Sequence, residues 1–149
     1  MGKGRRKLFW GVLLALNLAL IWGNSLVSGA ESGQMSGGIM EFVMKLLQIP
    51  AAYSDTVHLL IRKLAHITEF ACLSALISWC LGRVKEKRVH QILLAVLISM
   101  AVALMDETIQ LYTPERGPSL VDVWIDTLGA VLGMTAVQLG YHLKKKNKT

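Results

Sequence analysis

The nine residues Arg62-Lys63-Leu64-Ala65-His66-Ile67-Thr68-Glu69-Phe70 place two cations, an imidazole and a carboxylate within a stretch whose flanks are apolar. A second run of the same character extends from Asp106-Glu107 through Gln110, Arg116 and Ser119 to Asp122 and Asp126. Both runs lie within or at the edge of segments apolar enough to span a bilayer, where an ionisable side chain is costly and marks a functional site by default. The pattern predicts one polar site inside a small membrane protein.

Composition agrees. The 149 residues fall within single-domain length, but 53% of them are hydrophobic and only 17% are charged, which excludes an ordinary soluble globule. The formal charge of +6 sits in short clusters at the ends of apolar runs, not along one face. That arrangement reflects membrane topology and argues against nucleic acid as a partner. Cys72 and Cys80 would stand about 12 Å apart on one helix, too far for a disulfide within it.

Four spans are expected, over about 8–27, 60–82, 89–110 and 119–141, in an all-α four-helix bundle that forms a single domain over 1–149. Lys3, Arg5, Arg6 and Lys7 precede the first span, and its small-residue end at Ser28-Gly29-Ala30 mimics a signal cleavage site; the expectation is a retained helix. The glycine- and serine-rich stretch 28–38 reads as an external loop. Residues 39–49 place Glu41, Lys45 and Gln48 on one face, which fits a short amphipathic helix in the outer interface that ends at Pro50, or equally a lid packed over the other helices. Ser119 is a candidate cap for the last helix.

The basic clusters at the start, at 83–88 and at 144–148 fall on one side if the spans number four. The positive-inside rule then places both termini in the cytoplasm of a multi-pass protein. It also brings the polar stripes to one depth near the outer leaflet. Arg62, His66 and Glu69 recur at i, i+4, i+7, Asp106 and Gln110 at i, i+4, and Ser119, Asp122 and Asp126 at i, i+3, i+7. Gly129 and Gly133 extend the last stripe as a Gly-x-x-x-Gly pattern, expected to serve helix packing within the monomer. The first helix carries little charge and is expected to pack behind the site, and His58, His90 and His142 to lie away from it.

These motifs, Arg-Lys-x-x-His-x-x-Glu-Phe at 62–70, Asp-Glu-x-x-Gln at 106–110, Arg116 and Ser-x-x-Asp-x-x-x-Asp-x-x-Gly-x-x-x-Gly from Ser119 to Gly133, resemble the VanZ-like family of bacterial membrane proteins. The resemblance covers most of the chain and includes the serine-rich stretch after the first span. It implies a bacterial cell-membrane location and an association with low-level resistance to teicoplanin, a lipoglycopeptide that acts on cell-wall precursors. Members commonly carry Asn where this chain has Asp126, which adds a negative charge here.

Three roles for the site follow. Arg62, Lys63, His66, Glu69, Asp106, Glu107, Gln110, Arg116, Ser119, Asp122 and Asp126 form a candidate ligand site for an anionic lipid headgroup or lipid-linked cell-wall precursor. In that reading Arg62, Lys63 and Arg116 contact the anion, and Glu69, Asp122 and Asp126 orient the arginines. In the second reading a metal-dependent enzyme uses His66, Glu69, Asp106, Glu107 and Asp122 for catalysis, with a divalent cation on His66, Glu69, Asp106 and Asp122. In the third, an internal salt-bridge network fixes the helices and the protein acts through partners. Five carboxylates face three permanent cations in this set, so a proton, a charged His66 or a bound cation must offset the excess.

Overall fold

A computed structural model describes residues 3–81 and 88–146. Five α-helices account for nearly all of them: α1 (Lys3–Leu26), α2 (Gly29–Leu47), α3 (Ser54–Leu81), α4 (Arg88–Gln110) and α5 (Leu120–Lys146), with one 3-10 turn at Ala51–Tyr53. Four stretches among the described residues are long and apolar enough to cross a membrane: Gly4–Leu26, Ala51–Leu81, Val89–Gln110 and Leu120–Gly140. The expected four-span, all-helical architecture is therefore observed. The basic cluster at 83–87 lies outside the described residues.

Packing is centred on α3, which touches α1, α2, α4 and α5 and lies most extensively against α5. Trp10 near the start of α1 stacks on Trp79 near the end of α3, with ring centroids 4.7 Å apart. At the other end, Ser25 of α1 meets Asp106 of α4, and Lys63 of α3 meets Asp122 of α5. These pairs show α1 running antiparallel to α3 but parallel to α4, and α3 parallel to α5, with the polar residues gathered at the end opposite Trp10 and Trp79.

The interior is small and the exterior large, as expected where lipid is the solvent. Leu16, Leu20, Leu97, Leu104, Leu128 and Leu132 are exposed, whereas Ala95, Ala103, Ala130, Ser74 and Ser99 are buried around Phe70 and Leu73. Gly129 and Gly133 let α5 lie directly on α3. A Cβ built at Gly129 would come within 2.5 Å of the Ile67 carbonyl oxygen, and one at Gly133 would run into the Ala71 carbonyl. The glycine pair thus serves packing within the chain. Ser74 Oγ reinforces the same seam by donating to the Ala130 carbonyl at 2.7 Å.

One element departs from expectation. Within the stretch 28–38, residues 29–38 are helical, so α2 begins at Gly29 and is 19 residues long. Glycine and serine have low helix propensity, but here end effects and packing outweigh it. Ser28 caps the helix by accepting from the Glu31 amide at 3.3 Å. Ser36 Oγ makes a 2.5 Å hydrogen bond with His58 Nε2 of α3, tying α2 down mid-length. The helix stops before Pro50 is reached, at Gln48, whose left-handed φ of 53° sends its N–H to the Met44 carbonyl.

Candidate functional site

The loop between α4 and α5 closes the polar end of the bundle through two adjacent residues. Glu115 accepts from the Ala30 amide at 3.0 Å, placing a carboxylate at the N-terminus of α2. Arg116 donates from Nε to the Val27 carbonyl at 3.0 Å and from Nη2 to the Asn24 carbonyl at 2.7 Å, placing a cation at the C-terminus of α1. Each charge complements the helix end that it meets. Gly29 is required at this corner, because a Cβ there would run into the Glu115 carbonyl. Burial, followed by the neighbouring Arg62 charge, pulls the Arg116 guanidinium below its ordinary pKa.

Inside this closure the acidic residues divide among separate partners. Asp106, fully buried, accepts from Ser25 Oγ at 2.6 Å on one oxygen and from Gln110 Nε2 at 2.9 Å on the other. Glu107 accepts from the Ser119 amide at 2.6 Å, at the entrance to α5. Ser119 in turn accepts from the Val121 amide, as a helix cap does. Asp122 takes Lys63 at 2.5 Å, with about a third of each side chain exposed. Glu69 accepts from Asn24 Nδ2 at 2.6 Å.

Asp126 is different. It is fully buried, and neither carboxylate oxygen has a hydrogen-bond partner among the described residues. His66 Nδ1 stands 3.4 Å from Asp126 Oδ1, also without a hydrogen bond. His66, Asp106 and Asp126 each bring one donor atom to a common point, all within 4.8 Å of one another. A buried unsatisfied polar group typically costs about 1–3 kcal/mol, and more when charged.

Two cavities flank this centre. The first, about 250 Å³, lies between α1, α2 and α3 and combines Asn24, Arg62, His66, Glu69 and Arg116 with the apolar Met35, Ile39 and Ile61. The second, about 180 Å³, is more polar and is lined by Arg62, Lys63, His66, Gln110, Arg116, Asp122 and Asp126 among others. Arg62, His66 and Arg116 border both.

The sequence-predicted residues thus converge on one end of the bundle, but their pairings differ from expectation. Glu69, Asp122 and Asp126 orient no arginine; they hold Asn24, hold Lys63 and face His66, respectively. Lys63 is neutralised by Asp122, which leaves Arg62 and Arg116 as the cations that border both cavities without an ion pair among the described residues, and of these Arg116 is engaged by α1 carbonyls. The first helix does not merely pack behind the site, since its Asn24 and Ser25 bind Glu69 and Asp106 directly. His58 shares the α2-facing side of α3. Asn24 and Ser25 carry no charge, and their only signal in the sequence is two small polar residues closing an apolar span.

A bundle of four candidate spans with buried carboxylates, an imidazole and an unpaired arginine at one end defines a multi-pass membrane protein built around an internal polar centre. The sequence model of the VanZ/LLP1 family matches residues 9–141, and the chain belongs to that family. Comparison with the curated proteins and with the solved structures found no match.

Proposed function

We propose that the protein binds an anionic headgroup at the outer leaflet, from a polar lipid or a lipid-linked cell-wall precursor, and through that binding contributes to low-level lipoglycopeptide resistance. The observation that carries this reading is Arg62, a guanidinium on the wall of both cavities with no carboxylate bound to it among the described residues, placed near a second guanidinium at Arg116. Two neighbouring like charges in a partly desolvated cavity favour an anion, and guanidinium matches phosphate or carboxylate by paired hydrogen bonds. Arg116 spends Nε and Nη2 on α1 carbonyls, so Arg62 is the principal contact.

The lining of the first cavity supports a lipid as the source. Its polar end adjoins Met35, Ile39 and Ile61, a junction suited to a headgroup followed by a chain. At about 250 Å³ it falls below the roughly 300–1,000 Å³ common for drug-sized ligands, so a headgroup fits and an entire lipoglycopeptide does not. The basic residues Arg5, Arg6 and Lys7 at the opposite end of α1 favour the cytoplasm there, which turns the cavities outward.

Native mass spectrometry and titration in nanodiscs of neutral lipid, with polyprenyl phosphate as the probe, test the proposal. Arg62→Ala is expected to weaken binding about tenfold or more, the equivalent of one charge-assisted contact of about 1.4 kcal/mol. Unchanged affinity in that variant would refute it. A second reading, a metal-dependent membrane enzyme acting on the same headgroup, draws on the convergence of His66, Asp106 and Asp126 beside the cavities. It requires turnover of a phospholipid or precursor that chelation abolishes.

A further inference from the structure

We propose that His66, Asp106 and Asp126 form a site for one divalent transition-metal ion of the Zn²⁺ or Mn²⁺ class, where α3, α4 and α5 meet. The assignment rests on the geometry of these three residues and does not depend on the anion-binding reading.

The spacing fits coordination better than it fits direct contact. His66 Nδ1 and Asp126 Oδ1 are 3.4 Å apart without a hydrogen bond. Two ligands on one ion at about 2.0–2.1 Å in a tetrahedron are separated by roughly 3.3–3.4 Å. All three donor atoms lie within 4.8 Å of one another, so a side-chain rotation on the order of 1 Å brings the third to the same centre.

Charge points the same way. Asp106 and Asp126 are both fully buried, and among the described residues no lysine or arginine pairs with either. Lys63, the nearest candidate in the sequence, is bound to Asp122. A divalent ion supplies the positive charge that no lysine or arginine gives these two carboxylates, and it bonds to Asp126, whose oxygens make no hydrogen bond among the described residues.

The surroundings already contain the supporting interactions that a metal ligand needs. Ser25 and Gln110 each donate to one oxygen of Asp106, fixing the carboxylate while leaving lone pairs free. One imidazole nitrogen with two carboxylate oxygens suits Zn²⁺, Mn²⁺ or Fe²⁺ rather than Mg²⁺ or Ca²⁺, which favour oxygen alone. Glu69 and Asp122 do not join the cluster, because Asn24 and Lys63 hold them elsewhere. His66 and Asp126 border the smaller cavity. A coordination position left open by three protein ligands is therefore reachable from that cavity.

The test uses the full chain in detergent, stripped by chelator and then titrated with Zn²⁺ or Mn²⁺ alone. About one ion per chain is expected, with bound Mn²⁺ showing the spin-echo modulation of a histidine nitrogen. Asp126→Asn and His66→Gln should lose at least about tenfold in affinity, while His58→Gln and His142→Gln retain both the ion and the nitrogen signal. No stoichiometric ion, a bound Mn²⁺ without nitrogen modulation, or a signal that survives His66→Gln would overturn the assignment. The wild-type stoichiometry and spectrum decide the matter even where a variant fails to fold. Loss of polyprenyl-phosphate binding in Arg62→Ala with the ion retained would bear on the anion reading alone.

Discussion

Ser25→Ala tests whether the first helix is a working part of the polar centre. Ser25 is 2% exposed, donates to Asp106 Oδ1 at 2.6 Å and accepts from Gln110 Nε2 at 3.3 Å, so alanine removes one donor from a fully buried carboxylate. A hydrogen bond to a charged group is typically worth about 1.5–3 kcal/mol. Interhelical bonds in membranes average only about 0.6 kcal/mol, with a maximum near 1.7, because the unfolded chain in the membrane also finds partners. Asp106 keeps its bond from Gln110, which lowers the cost, whereas full burial and charge raise it. The expected destabilisation is about 1–2 kcal/mol, read by reversible unfolding in mixed micelles with chelator present. In an Asp106→Asn background the same substitution should cost about 1 kcal/mol less, since the acceptor is then neutral. A cost of about 0.3 kcal/mol or less, or an equal cost in both backgrounds, would show that α1 only packs against the site.

Gly133→Ala should destabilise the protein by about 1–3 kcal/mol, the usual range for overpacking, because its new methyl group meets the Ala71 carbonyl backbone; thermal unfolding of the purified variant checks this, with Gly140→Ala, where nothing lies within 4 Å, expected to be silent. Topology is checked by single cysteines in a chain with Cys72→Ser and Cys80→Ser: a membrane-impermeant maleimide should label Tyr112→Cys, at a position 86% exposed beside the α4–α5 loop, from outside intact cells, and His142→Cys only after permeabilisation.

The four spans were legible because each is a long apolar run bounded by charge or turn residues, and the structure has four helical stretches long and apolar enough to cross a membrane, the second beginning at Ala51, ahead of the expected start near 60. The polar centre was legible for a related reason. Carboxylates and arginines stand out inside apolar sequence, and helical spacing alone aligns Asp106 with Gln110, as the structure confirms. Partner choice was not legible. Lys63 and His66 lie three residues apart, yet one reaches the carboxylate of Asp122 and the other faces Asp126. Which carboxylate each meets depends on the register of α3 against α5, set by the contacts of Gly129 and Gly133 with the α3 backbone. The helical character of 29–38 was hidden by its glycines and serines, because its support comes from Ser28, His58 and the distant Glu115 and not from local propensity.

The clasp formed by Glu115 and Arg116 also sets the order in which the protein can be completed during synthesis. The groups it secures, on Ala30, Val27 and Asn24, precede it by 85, 89 and 92 residues. The first corner therefore emerges from the ribosome well before its caps exist. Domains begin to fold from the N-terminus as they are made, but here the end of α1 and the start of α2 wait for the last loop, and contacts of such long separation form slowly. The cavity between α1, α2 and α3 is thus completed only after translation has passed Arg116, although every other residue that lines it has been made by Glu69.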